Sequence, residues 1–225
     1  MRFRRLLFTC FLLPAMLHPG APKLLAQAAA APPQPRATST PYSGDLSVFD
    51  TPGRDQRLHI DRVMNILSIA PGKSVADIGA GSGWFTVRAA RRVGAMGTVY
   101  AADINPKAIH YIDERVQKEK LHNVRTILSK PGDPELPPDS VDSVLLMKTY
   151  HEVAEPVALL RNLRTALRPG ARVGIIDRDG NGEDHGVHKQ IVLHEADEAG
   201  YRLLEEHDDL VKDDNVDYFL VLAVK

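Results

Sequence analysis

Apolar residues recur along the chain in two alternating rhythms. Over Arg54–Ala70 they fall near one helical face, through Leu58, Val63, Ile66 and Leu67, with charges opposite. Pro71-Gly72 stops that run. Ser74–Ile78 then predicts a strand, and a glycine-rich turn leads into a helix over Trp84–Arg92. Gly97–Ile104 predicts a second strand and Pro106–Lys120 a helix, with its proline in the first turn, where proline is tolerated. Val124–Leu128 and Val141–Lys148 predict strands three and four. The fourth, VDSVLLMK, is apolar almost throughout, as parallel strands covered on both faces tend to be. Glu155–Leu167 is amphipathic through Leu159, Leu160, Leu163 and Leu167, and Arg168-Pro169-Gly170 ends it. Arg172–Ile176 predicts a fifth strand, and Lys189–Ala199 a helix closed by Gly200. Arg202–Glu206 and Tyr218–Val224 have no helical room between them and predict an antiparallel pair.

Strand and helix alternating five times at short spacing predict an α/β fold, an open and mostly parallel sheet with helices on both faces. Ligands of such sheets bind beyond the carboxyl ends of the strands, where strand order reverses.

The N-terminus follows neither rhythm. MRFRR is basic, LLFTCFLLPAML is apolar over the length of a signal peptide, and small residues around Ala26–Ala30 offer cleavage sites. Residues 1–30 therefore predict a signal peptide and an exported, periplasmic or secreted, protein. The alternative is an uncleaved anchor with the domain on the cytoplasmic face. Lys23 and Pro14 argue against a stable membrane span. Residues 31–53 are rich in Pro, Ser and Thr at their start and predict a linker, leaving 54–225 as the domain. The one cysteine, Cys10, lies in the apolar run, so a cleaved chain has no disulfide, thiolate metal site or thiol nucleophile. With 25% charged residues and a net charge of -1, no global basic field attracts nucleic acid.

VADIGAGSGWF, residues 75–85, is the first candidate for chemistry. Its glycines, Gly79, Gly81 and Gly83, stand as G-x-G-x-G, with Trp84 following. A dinucleotide turn needs G-x-G-x-x-G and no carboxylate near its diphosphate. Here Asp77 stands two residues before the first glycine. A second acid, Asp103, closes the next strand at VYAADINP and suits two ribose hydroxyls. Its alternative is a cap for the helix starting near Pro106.

Taken in order, VADIGAGSGWFTVRAA, VYAADINP, LPPDSVDSVLLMKTYHEV and LLRNLRTALRPGARVGIIDRD resemble the motifs of class I S-adenosylmethionine-dependent methyltransferases, most nearly the small-molecule group that includes quinone-ring methyltransferases. The resemblance covers residues 54–225. It implies a Rossmann-like sheet of seven strands with an antiparallel last strand, S-adenosylmethionine as cofactor, and a small organic methyl acceptor. It implies that Asp77 orients the methionine amino group, that Gly79, Ala80, Gly81 and Gly83 admit the methionine part, that Asp103 binds the ribose, and that Ile104 packs on the adenine. For the adenine amino group it implies Asp133, or else Ser129 or Lys130, because Pro131-Gly132 interrupts the family pattern there.

A proton-accepting group, where the acceptor needs one, is expected at the end of strand four among Lys148, Tyr150, His151 and Glu152, with His151 and Tyr150 foremost. His151 could equally be a loop histidine and Tyr150 a pocket wall. KTYHEV lacks the acid or Asn, two prolines and aromatic of nucleic-acid amino methylation, and arsenic methylation in related enzymes depends on cysteines. The loop DRDGNGEDHGVH, 177–188, matches calcium-loop positions at Asp177, Asp179, Asn181 and Gly182 but ends on His188 instead of Glu. Asp184, His185 and His188 could hold zinc, but no fourth ligand is evident, and the reading is no metal site; His185 and His188 could instead touch the acceptor. Two rivals remain: a non-catalytic ligand-binding module on the same fold, and a nicotinamide-dependent oxidoreductase, against which the Trp84 spacing argues.

Overall fold

A computed structural model describes residues 36–210 and 215–225. The expected signal peptide, residues 1–30, lies outside the described residues. The helical pattern at 54–70 is realised as two short helices, α1 (Arg54–Arg57) and α2 (Ile60–Ile66), because His59 between them adopts φ 44°. There follow β1 (Ser74–Ile78), α3 (Trp84–Val93), β2 (Thr98–Asp103), α4 (Pro106–Lys118), β3 (Val124–Leu128) and β4 (Val141–Met147). The chain continues through α5 (Pro156–Ala166), β5 (Leu167–Asp177), α6 (Lys189–Glu198), β6 (Tyr201–Glu206) and β7 (Tyr218–Val224).

The seven strands form one sheet in the order β3-β2-β1-β4-β5-β7-β6. The pairings from β3 through β5 are parallel, and β7 runs antiparallel to both β5 and β6. The expected terminal pair is present, but β7 inserts between β5 and β6 instead of extending the edge. β5 begins five residues before the expected Arg172, at Leu167, which pairs with Val141 before the register shifts.

Side chains alternate across the sheet, so successive residues of β4 serve different cores. Val144 and Leu146 pack on one face with Leu160 and Leu163 of α5 and Val192 of α6. Leu145 faces the other side, with Val63 of α2 and Phe85 and Ala89 of α3. Each such fully buried side chain contributes about 1.5–3 kcal/mol. Strand order reverses at β1, which lies between β2 and β4. That is the switch point of an open α/β sheet, and it opens a crevice at the carboxyl ends of these strands.

Candidate active site

A cavity of about 680 Å³ occupies the crevice. The turn after β1 lines it. Gly79 and Gly81 have φ 70° and 55°, a left-handed backbone that glycine adopts without strain. A Cβ on Gly79 would also overlap the Thr149 side chain, so this position holds the turn tightly against the β4 end. The Gly79 and Ala80 amides donate to the Ala102 carbonyl at 2.8 and 3.2 Å, which fixes the turn to β2.

Asp77 is 3% exposed and accepts a 2.6 Å hydrogen bond from the Thr86 hydroxyl. Burial pushes its carboxyl up to about 7 against the pull of Thr86, and the neighbouring Asp103 charge adds to the rise. Asp103 accepts from the Gly81 amide at 2.9 Å and the Asn105 amide at 2.8 Å. Burial raises its pKa and these backbone donors oppose the rise. Asp103 is not the helix cap: Asn105 does that, accepting from the Lys107 amide at the start of α4. Ile104 stays 43% exposed and lines the cavity as an apolar plate. Trp84 also lines it, with the Arg54 and Arg88 guanidiniums 4.4 and 4.1 Å from its ring centroid.

The ends of β4 and β5 supply the other polar groups. His151 is 4% exposed, and its Nδ1 lies 2.7 Å from Asp177 Oδ1. Asp177, fully buried, also accepts from the backbone amides of His151 at 3.0 Å and Arg178 at 2.8 Å. A carboxylate so placed holds the Nδ1 proton and leaves Nε2 for the cavity. Beside it, burial pushes Glu152 up to about 7, against the pull of His151. Lys148 lines the cavity as well, with φ 54°.

The segment expected as a linker closes over this space. Ser39 donates its amide to the His151 carbonyl at 3.1 Å, and Arg36 donates to the Tyr150 carbonyl at 2.7 Å. Arg36 also pairs with Glu195 of α6 at 2.9 Å, both side chains 11% exposed. Tyr42, Leu46 and Phe49 then line the cavity, and Asp50 binds Arg115 of α4 at 2.8 Å.

Of the residues expected at the site, Asp77, Gly79, Ala80, Gly81, Asp103, Ile104 and His151 line one cavity. Gly83 lies behind it, where its amide donates to the Ala80 carbonyl and α3 begins. Asp133 is not in the lining: its carboxylate accepts from the Glu135 amide at 2.8 Å, and Ser129, Lys130 and Pro131 line the cavity instead. Tyr150 is not in the lining either; it is fully buried, with its hydroxyl beside Glu195. In the 177–188 loop, Asp177 is committed to His151, Asp179 accepts from the Lys189 amide, and Asp184 accepts from the Asn181 amide, so these acids do not converge as calcium ligands. His188 caps α6 by accepting from the Gln190 amide, while His185 faces His151 across the cavity. Asp177, as the partner of His151, is a site residue that the sequence pattern does not single out. Its sequence signal was an acid closing a strand, as Asp77 and Asp103 do.

An open α/β sheet with a glycine turn and two strand-end acids at its switch point defines a nucleoside-binding fold of the Rossmann-like class. A family model described as a methyltransferase domain matches residues 69–218, so the chain belongs to the methyltransferase domain family. An arsenite methyltransferase of Halobacterium salinarum is 30% identical over 60% of this chain and 35% of its own length. A demethylmenaquinone methyltransferase of Listeria monocytogenes is 25% identical over 54% of this chain and 52% of its own. The chain thus spans between a third and about half of these curated relatives. A solved structure of an S-adenosylmethionine-dependent methyltransferase from Aquifex aeolicus superposes with a TM-score of 0.73 over 81% of this chain and all of that one, at 24% identity. The cofactor of this family, S-adenosylmethionine, fits the cavity as built. Glycines at 79 and 81 give close backbone approach, a buried carboxylate awaits a cation, and an exposed isoleucine offers an apolar face.

Proposed function

We propose that this protein transfers the methyl group of S-adenosylmethionine to a small organic acceptor with an apolar body and an ionisable hydroxyl. The observation that carries the reading is that Asp77, the 79–81 turn and Asp103 share one cavity with a carboxylate-held histidine. When bound, S-adenosylmethionine supplies an activated methyl on a sulfonium, so alignment and exclusion of water do much of the work.

The chain's own residues divide that work. Asp77 would hold the cationic amino group, Asp103 the ribose hydroxyls, and Ile104 the adenine face. Ser129 and Lys130 stand where the adenine edge is expected. Tyr42, Leu46 and Phe49 cover the cavity and keep water out. His151, oriented by Asp177, and Glu152 present a nitrogen and an oxygen that help the acceptor lose its proton. The described residues contain no cysteine, which favours an oxygen or carbon acceptor over the thiol-dependent chemistry of arsenic. The net charge of -1 favours a small molecule over nucleic acid. The composition of residues 1–30 supports export, which fusion of that segment to a compartment-sensitive reporter tests.

Isothermal titration with S-adenosylhomocysteine tests the cofactor reading; the expected result is one site per chain, and a flat titration overturns it. Methyl transfer to hydroxylated aromatic acceptors, followed by mass spectrometry, then separates an enzyme from a module that binds the nucleoside without turnover.

A further inference from the structure

We propose that His151, Glu152 and His185 form a divalent-metal site of the zinc class whose open positions face the cavity. Each residue offers one ligand atom, and the three atoms lie within 4.8 Å of one another. His151 Nε2 is already 3.9 Å from Glu152 Oε1, so a shift of about half an ångström brings the pair to the spacing of two tetrahedral ligands on one ion. All three line the cavity that holds Asp77 and the glycine turn.

Two further features mark the cluster as built. The first is Asp177. Its carboxylate on Nδ1 of His151 is the arrangement that fixes ring orientation and tautomer in metal-bound histidines and raises the basicity of the ligating nitrogen. The second is Ser39, which ties the His185 loop to His151. The Ser39 hydroxyl accepts from the His185 amide at 3.0 Å and donates to the Gly182 carbonyl at 2.8 Å, while the Ser39 amide donates to the His151 carbonyl at 3.1 Å. His185 is held at φ 58°, a left-handed conformation that costs a non-glycine residue of order 1 kcal/mol and persists where surrounding contacts impose it. The imposed conformation sets its ring edge-on to that of His151, with centroids 5.8 Å apart.

Two imidazoles and one carboxylate are the ligand set of a catalytic zinc site, in which the fourth position stays open. The site replaces the one suggested by sequence spacing, in which His185 would have joined His188 and Asp184. The use of the open position rests on the methyl-transfer reading. An acceptor hydroxyl held there gives up its proton to solvent near neutral pH. The freed oxygen then forms the new bond to the methyl carbon as the carbon–sulfur bond breaks and the sulfonium becomes a thioether. His151 acts in that case through the ion and does not itself take the proton.

The test uses the full chain, free of any histidine tag and stripped with a chelator. Zn²⁺ is titrated calorimetrically and Co²⁺ by visible absorption. The expected result is one ion per chain, with the absorption of four- or five-coordinate cobalt. His185→Ala and Glu152→Gln, both at the cavity surface, should each weaken binding by at least about tenfold. His188→Ala, which removes a helix cap outside the cavity, should bind as the wild type does. Thermal melts of each variant establish that it is folded. No saturable binding, wild-type affinity in both His185→Ala and Glu152→Gln, or an equal loss in His188→Ala overturns the site. S-adenosylhomocysteine is titrated in parallel. Its binding without metal binding overturns the metal site alone, and metal binding without it overturns the methyl-transfer reading alone.

Discussion

Burial holds the Asp77 carboxyl up at a pKa of about 7, well above the ordinary carboxylate value, which disfavours its charged form in the free protein. A cation bound beside it favours the charged form and reverses the effect of burial. Asp77 therefore works against the fold until a ligand arrives. Asp77→Asn keeps an oxygen to accept from Thr86 and removes the charge. Two changes are expected together: the free protein melts several degrees higher at pH 8, and S-adenosylhomocysteine binds at least about tenfold more weakly, the loss of one charge-assisted hydrogen bond. Differential scanning fluorimetry and calorimetric titration read the two effects. A lower melting temperature with unchanged affinity would make Asp77 a structural residue. Asp103 differs from it in kind, because the Gly81 and Asn105 amides already support its charge.

Among the elements that line the cavity, the segment before α1 has the weakest signature in sequence. It has no apolar period; Pro, Ser and Thr dominate its first part, and its anchors are scattered at Leu46 and Phe49. Its attachment comes instead from long-range bonds of Arg36 and Ser39, which no local pattern reports. The strands were legible because short runs rich in apolar residues between turn residues leave little choice: β1, β3 and β7 begin and end where the pattern places them. The cavity lining was legible where acids close strands, at Asp77 and Asp103. It was not legible at Asp133, because the Pro131-Gly132 turn lets its carboxylate fold back onto the Glu135 amide. Tyr150 stays out of the cavity for another reason. A short 3-10 turn, Tyr150–Glu152, sends His151 and Glu152 to the cavity and Tyr150 into the core. Because Tyr42 and Phe49 line the cavity, its occupant should guard them. Chymotrypsin cleavage at these two residues is expected to slow several-fold with saturating S-adenosylhomocysteine, followed by mass spectrometry of the fragments. Equal rates with and without it would place the ligand elsewhere.

At the scale of the whole molecule, the cavity gives stability an unusual dependence on pH. Asp77 and Glu152 both titrate near 7 in the folded chain, against ordinary values of 3.8 and 4.5, and burial is the leading cause for each. Between the ordinary and folded values, the folded state binds more protons than the unfolded one. The unfolding free energy therefore falls as pH rises through that window, and the deficit is complete above about 7. Asp142 and Glu205 shift downward, held by the Ser74 amide and Lys73 in one case and by His207 and Arg172 in the other. Their contributions are lost as pH falls from the ordinary carboxylate values through the lowered folded ones, on the acid side of the window in which the cavity acids act. The free protein should accordingly melt higher at pH 5.5 than at pH 8. S-adenosylhomocysteine should narrow that difference by favouring the charged Asp77, and Asp77→Asn should narrow it without ligand. Glu152→Gln should narrow it independently, and the two substitutions should add unless the carboxylates interact directly. A melting temperature that rises from pH 5.5 to pH 8 in the free wild-type protein would mean that these carboxyls are not buried as the cavity holds them.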